Sequence, residues 1–234
     1  MKYTALLFLF SFSICPIFSQ NISSKKLLQK SIAYHDPSNQ WPTFNGELNL
    51  KETRPNGSDR HTQLQINNNN GFFKMEQDRD GNHLTHILEN GECSYMLNNS
   101  KTIAEEDIKK HKLNCKRTQF MRNYYVYLYG LPMKLNDPGT IVHDNIEKTK
   151  FQDQDCFAMK VTYEEGVGND IWYFYFHPKT YAMIGYRFYH DEEKNDGEYI
   201  TLEGVKTINN MRLPMTRKWY VNKDGKFLGA DILE

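Results

Sequence analysis

The sequence has almost no net charge and no long run of charges of one sign. Over the whole chain, 29 basic residues balance 29 acidic ones. Nucleic-acid binding depends on clusters of basic residues that neutralise phosphates. The interleaved charges therefore indicate a solvated surface of mixed sign and argue against a nucleic-acid partner.

Strongly apolar sequence occurs in one place only, at the N-terminus. Residues 1–20 contain Lys2, an apolar core over 5–14 and a small, polar end. That core has about a dozen residues, whereas roughly 20 are needed to cross a bilayer. The pattern predicts a cleaved secretory signal peptide over 1–20.

Cleavage near Asn21 would leave a mature chain of 21–234, which we expect to fold as a single β domain. Cys15 does not fit a lipid-attachment site, because Ile14 precedes it and Pro16 follows it. We therefore predict a periplasmic or secreted protein without a lipobox.

Cysteine is scarce in the mature chain. Cys93, Cys115 and Cys156 remain, and an oxidising compartment favours one bridge and one unpaired thiol. We expect Cys93–Cys115, whose loop of roughly 22 residues would stabilise the fold by about 3 kcal/mol. Spacing alone does not exclude the other two pairings.

Motifs for covalent catalysis and for metal binding are missing. There is no Gly-x-Ser-x-Gly elbow, and no phosphate loop precedes Gly225-Lys226. His83 and His86, three apart on a predicted strand, point to opposite faces. We therefore expect no metal, no cofactor and no enzymatic activity.

One polar cluster keeps a catalytic alternative open. Tyr34-His35-Asp36-Pro37 ends a predicted helix over 23–35, and it delivers an imidazole and a carboxylate together. We favour the interpretation that His35 and Asp36 satisfy the helix end. The alternative is a hydrolase built on these two residues with Tyr34.

The remaining pattern is mostly β. Short alternating runs are separated by turns such as Asp80-Gly81 and Asn90-Gly91, which favour hairpins. They predict strands over 44–53, 61–67, 71–77, 83–88, 94–97, 156–163, 171–176, 183–190, 199–208 and 215–221. Between the two groups, 101–112 and the segment from Phe120 to Gly130 are predicted as helices, the second with one buried aromatic side.

Aromatic residues are concentrated in the C-terminal strands. If helices cover one side of a curved sheet, the aromatic side chains on the other side are either exposed to water or line an apolar cavity. Exposure costs free energy, so the cavity is favoured. We predict that such a cavity is lined by eight residues: Phe157, Met159, Trp172, Phe174, Phe176, Tyr186, Phe188 and Trp219. Its partner would be an apolar small molecule or a lipid.

The C-terminal half also resembles a known family. The stretches that carry the resemblance are 172–181, Gly185-Tyr186-Arg187-Phe188, Gly204-Val205-Lys206, Leu213-Pro214 and Arg217-Lys218-Trp219-Tyr220. They resemble the periplasmic lipoprotein-carrier (LolA/LppX-like) superfamily. More narrowly, 27–233 is similar to an uncharacterised secreted family of Bacteroidetes-type bacteria.

The resemblance implies a mostly β (α+β) fold: an unclosed, curved antiparallel sheet, or half-barrel, with helices in or over its concave mouth. It also implies a hydrophobic cavity that accepts acyl chains. We expect an exported, monomeric binding or carrier protein. The alternative is a cell-envelope interaction module that has a protein partner and no ligand.

Overall fold

The computed structural model describes residues 22–234, in which a single antiparallel sheet of twelve strands dominates. The signal peptide predicted over 1–20 lies outside the described residues. The strands are β1 (Asn45–Thr53), β2 (Arg60–Asn67), β3 (Phe72–Arg79), β4 (Asn82–Glu89), β5 (Glu92–Leu97), β6 (Thr140–Phe151), β7 (Gln154–Tyr163), β8 (Ile171–Phe176), β9 (Met183–Tyr189), β10 (Glu198–Ile208), β11 (Met211–Val221) and β12 (Phe227–Leu233). The α-helices of the described residues are α1 (Ser24–His35), α2 (Glu105–His111) and α3 (Cys115–Gly130). None of them is long and apolar enough to span a membrane.

The sheet is open. Its strand order is β5-β4-β3-β2-β1-β12-β11-β10-β9-β8-β7-β6, so β5 and β6 are the two edges. The last strand, β12, pairs with β1 and joins the two meanders, with Leu233 opposite Leu50. The expected fold class, an unclosed half-barrel that is mostly β, is therefore confirmed.

The hairpins follow the predicted turn chemistry. Asp80, Gly81, Asn90 and Gly91 all have positive φ, between 50° and 81°. Asparagine, aspartate and glycine tolerate this conformation best, and it matches the twist of the strands they connect. The turns therefore fix the register of β3, β4 and β5.

Helices α1 and α3 bury their inner sides in the main core, together with the inward-facing residues of the sheet. Helix α1 begins at the predicted cap, where the Ser23 hydroxyl accepts a hydrogen bond from the Lys26 amide at 3.3 Å. It buries Leu27 and Leu28 and contacts β6 and β11. Tyr125 and Tyr129 of α3 are each 1% exposed in the same core.

The predicted disulfide is confirmed, since Cys93 on β5 is bonded to Cys115, the first residue of α3. The bridge ties the start of α3 to one edge of the sheet. The remaining cysteine of the described residues, Cys156, is a buried free thiol. Burial raises its pKa to about 11, so it is a poor nucleophile at neutral pH.

Two strands were not predicted, β6 and β12. Helix α3 also begins at Cys115, five residues before Phe120, where the sequence pattern placed its start.

Strand β8 is apolar on both faces because each face has its own cover. Phe174 and Phe176 are fully buried in the main core. On the opposite face, Tyr175 stacks on Phe151 of β6 with ring centroids 4.2 Å apart, in a second apolar cluster.

Candidate functional site

A pocket of about 590 Å³ lies between α3 and the inner face of the C-terminal strands. This volume falls within the range of roughly 300–1,000 Å³ that is typical of small-molecule sites. Six of its lining residues are aromatic: Phe120, Tyr124, Tyr127, Trp172, Phe188 and Trp219. Its polar lining residues are Arg54, Asn123, Asp170, His190 and Glu198.

Helix α3 contributes to the pocket through a stripe beside the one that it buries. Phe120, Tyr124 and Tyr127 recur at helical spacing and line the pocket. Met121 and Tyr125 lie on the neighbouring stripe and pack into the core. The sequence predicted that α3 buries one aromatic side, and Tyr125 and Tyr129 form that side, whereas Phe120 is 54% exposed.

The lining rings form two groups. In the first, Trp172 lies 4.9 Å from Phe188 and 5.7 Å from Tyr127, measured between ring centroids. In the second, Tyr124 stacks between Phe120 at 6.2 Å and Trp219 at 6.4 Å. Because the rings support one another, they present a preformed apolar surface.

The eight residues predicted to line a cavity lie on the inner face of the sheet at different depths. Trp172, Phe188 and Trp219 line the pocket. Met159, Phe174, Phe176 and Tyr186 are each 0% exposed in the core, and Phe157 is half-buried against it. Only the first three are therefore in a position to contact a pocket ligand directly; the other five support them from below.

A buried charged cluster lies beside the pocket. Asp231 on β12 faces Glu52 on β1, and both carboxylates are nearly inaccessible to solvent. Trp219 donates from Nε1 to Asp231 Oδ2 at 3.2 Å, which holds its indole in place. Burial and the charge of Glu52 raise the pKa of Asp231.

Two arginines lie near these carboxylates, and Arg54 is the one within ion-pair distance. Arg54 reaches Asp231 at 3.4 Å and Glu52 at 3.8 Å. Arg217 is 1% exposed, donates to the Leu128 carbonyl at 3.1 Å and lies over the Tyr129 ring at 4.1 Å. The cluster thereby connects β1, β11 and β12 to the end of α3.

At the other end of the pocket lie Asp170, His190 and Glu198. His190 Nδ1 is 2.7 Å from Asp170 Oδ1, and this bond raises the pKa of His190. Glu198, on β10 opposite Phe188, is half-buried, and burial raises its pKa. Within 22–234 the Glu198 carboxylate makes no hydrogen bond or close ion pair, but the charge of His190 acts on it and opposes the effect of burial on its pKa.

His35 and Asp36 are placed away from this pocket. The His35 ring bonds at both nitrogens to backbone atoms, of Arg212 and Met183. Both oxygens of Asp36 accept backbone amides, from Gln40 at 2.7 Å and from Trp41 at 2.8 Å. The expectation that the two side chains satisfy the helix end is therefore wrong: His35 binds β9 and β11, and Asp36 caps the turn at Trp41–Thr43. Both are committed to backbone groups, which leaves neither as a free acid or base for the hydrolase alternative.

The sequence model of a family of unknown function, DUF6503, matches residues 2–233. The chain belongs to this family. No curated protein matches it.

The DUF6503 chain is similar in fold to two solved structures. One is a LolA superfamily protein from Nitrosomonas europaea, with a TM-score of 0.53 and 9% identity over 92% of each chain. The other, from Vibrio parahaemolyticus, is described as an outer membrane lipoprotein-sorting protein domain. Its TM-score is 0.51 and its identity 13%, over 90% of this chain and 91% of that one. These likenesses establish the LolA-like fold.

Several pocket residues of the DUF6503 chain were missed by sequence reasoning. Phe120, Tyr124 and Tyr127 had a usable signal, their helical spacing, but it predicted a core-facing stripe. Glu198 and Arg54 had none, since each stands at or beside a predicted turn where a solvated charge is ordinary. Within 22–234, no group of three metal-binding side chains is close enough to hold an ion.

Proposed function

We propose that this protein is an exported binding or carrier protein that holds a lipid or another apolar ligand between α3 and strands β8–β11. The observation that carries the proposal is the pocket of about 590 Å³ with six aromatic lining residues. Exposed rings of this size are costly in water, at about 25 cal/mol per Å² of apolar surface, and an apolar ligand would cover them. The LolA-like fold supports this role by analogy alone.

The proposal extends to the environment of the protein. The predicted signal peptide and the Cys93–Cys115 bridge support a periplasmic or secreted location, because disulfides persist in oxidising compartments. We propose a monomer that exchanges its ligand with an envelope partner and carries out no reaction. The alternative of an interaction module without a ligand predicts a solid core, which the pocket argues against.

Native mass spectrometry of the protein, purified from its exported form, tests this function. We expect a population heavier than the bare chain by the mass of an apolar molecule, which solvent extraction releases. A double variant, Trp172→Ala with Phe188→Ala, should lose that population, whereas Phe227→Ala, at an exposed ring outside the pocket, should keep it. An empty wild-type protein that also fails to bind added lipid would contradict the proposal.

A further inference from the structure

The charged residues of the pocket differ in whether they already form ion pairs within the protein. Arg54, its one permanently positive residue, lies within 3.8 Å of both Asp231 and Glu52 and donates to the Thr53 carbonyl at 2.7 Å. Its charge is therefore matched inside the protein. An anionic ligand group would have to compete with two buried carboxylates for this guanidinium.

The two carboxylates at this end of the pocket share one histidine. Asp170 is hydrogen-bonded to His190 at 2.7 Å, whereas Glu198 interacts with the charge of the same histidine only at longer range. Glu198 is also half-buried, so water solvates its carboxylate incompletely. A desolvated carboxylate without a close partner is unfavourable, and a ligand that supplies a positive charge would remove that cost.

The aromatic residues add to the same preference. Glu198 on β10 is paired with Phe188 on β9 and with Val221 on β11, and Trp219 lies two residues from Val221 on the same face of β11. Two pocket rings are therefore neighbours of Glu198. Trp172, Tyr124 and Tyr127 line the same pocket. The faces of aromatic rings attract cations, and boxes of such rings bind quaternary ammonium groups.

We propose that the pocket selects an amphiphile whose polar end is an organic cation, an amine or a quaternary ammonium, with Glu198 as its counter-ion and the rings of Trp172, Phe188 and Trp219 around it. This inference rests on the proposed function, because the apolar part of the ligand would occupy the same pocket. It adds a charge preference that an apolar cavity alone does not have.

Three probes that share one alkyl chain separate these claims: decyltrimethylammonium, decanol and decyl sulfate, each used below micelle formation. Trp172 and Trp219 line the pocket, so tryptophan fluorescence reports binding, and calorimetry gives the affinities independently. We expect decyltrimethylammonium to bind at least about tenfold more tightly than decanol, and decyl sulfate to bind most weakly.

The matched variants are Glu198→Gln and Glu203→Gln. Both residues lie on β10, but Glu203 is exposed and paired with Lys218 outside the pocket. Glu198→Gln should remove most of the preference for the cation while still binding decanol, and that binding also shows that the variant is folded. Glu203→Gln should behave as wild type.

The outcomes discriminate between the two proposals. Equal affinities for the three probes, a preference for decyl sulfate, or an unchanged preference in Glu198→Gln would each overturn the charge selectivity while the apolar pocket stands. Failure of all three probes to bind would overturn the proposed function itself and the inference with it.

Discussion

The His35 ring, at the end of α1, donates a hydrogen bond from Nδ1 to the carbonyl oxygen of Arg212 on β11 at 2.6 Å. Its Nε2 accepts the amide of Met183 on β9 at 2.9 Å. One side chain thus fastens the N-terminal helix to two strands. Because Nε2 accepts a hydrogen bond, it carries no proton and the ring is neutral. Burial favours this neutral form and lowers the pKa of His35 from 6.5 to about 4.

This arrangement predicts acid sensitivity of the fold. As pH falls below 6.5, His35 is protonated in the unfolded chain, whereas in the folded protein it stays neutral until about pH 4. The stabilisation that is present above pH 6.5 is therefore lost between pH 6.5 and about pH 4. Between about pH 7 and pH 5 the loss from His35 is roughly 2 kcal/mol. Urea unfolding at the two pH values measures it.

A variant isolates the His35 contribution. Glutamine at this position does not titrate, so His35→Gln should lose about 2 kcal/mol less than wild type between the two pH values, although it is less stable at neutral pH. His61→Gln, at an exposed histidine, should keep the wild-type difference. The same pH dependence in His35→Gln and wild type would refute this assignment. His86 also has a pKa of about 4, so it should account for part of the pH dependence that remains in His35→Gln.

The disulfide leads to a second prediction. The bridge closes a sequence separation of 22 residues and holds the start of α3 against β5. Replacing Cys93 and Cys115 together by alanine should lower the free energy of unfolding by roughly 3 kcal/mol. Reductant should shift wild type towards the double variant and leave that variant unaffected, and Cys156→Ala should retain the response to reductant.

The sequence predicted most of the fold, and the two missed strands show why it failed elsewhere. Strand β6 is an edge strand whose exposed residues are largely charged, so it lacks the apolar alternation that marks a half-buried strand. Strand β12 begins just after Gly225-Lys226 and contains Gly229, and glycines at this spacing are more typical of a loop than of a strand. Its identity as a strand depends on pairing with β1, a contact distant in sequence.

The site was predicted less completely than the fold because alternation gives the face of a residue and not its depth. Phe174 and Trp172 share one face of β8, yet Phe174 is fully buried and Trp172 lines the pocket. What separates them is the position of α3 above the sheet. That position follows from tertiary contacts, such as the hydrogen bond between His86 Nδ1 and Thr118 Oγ1 at 2.9 Å.

A third prediction concerns the pocket wall. Phe188 contacts Trp172 and lines the pocket, so Phe188→Ala should weaken binding of decanol by about tenfold or more through lost apolar contact. Phe227→Ala removes an equal side chain from the outer surface and should leave binding unchanged. Fluorescence titration measures both. Equal losses in the two variants would mean that decanol binds elsewhere.

The fourth prediction concerns Arg217, which faces Asp231 across β11 and β12. Its guanidinium bonds the Leu128 carbonyl and covers Tyr129, so it links the end of α3 to the sheet at the pocket wall. Arg217→Ala removes this hydrogen bond, the contact with Tyr129 and a positive charge that acts on Asp231, so it should cost roughly 3 kcal/mol of unfolding free energy.

Arg217→Lys separates charge from geometry. Lysine keeps the charge but loses the planar fork that donates to Leu128 while stacking on Tyr129, so we expect a smaller but clear loss. Lys218→Ala, the neighbouring surface residue, should cost less than about 1 kcal/mol. Urea unfolding ranks the three variants. If Arg217→Ala were as stable as Lys218→Ala, the charged cluster would not hold α3 in place, and another contact would have to define the pocket wall.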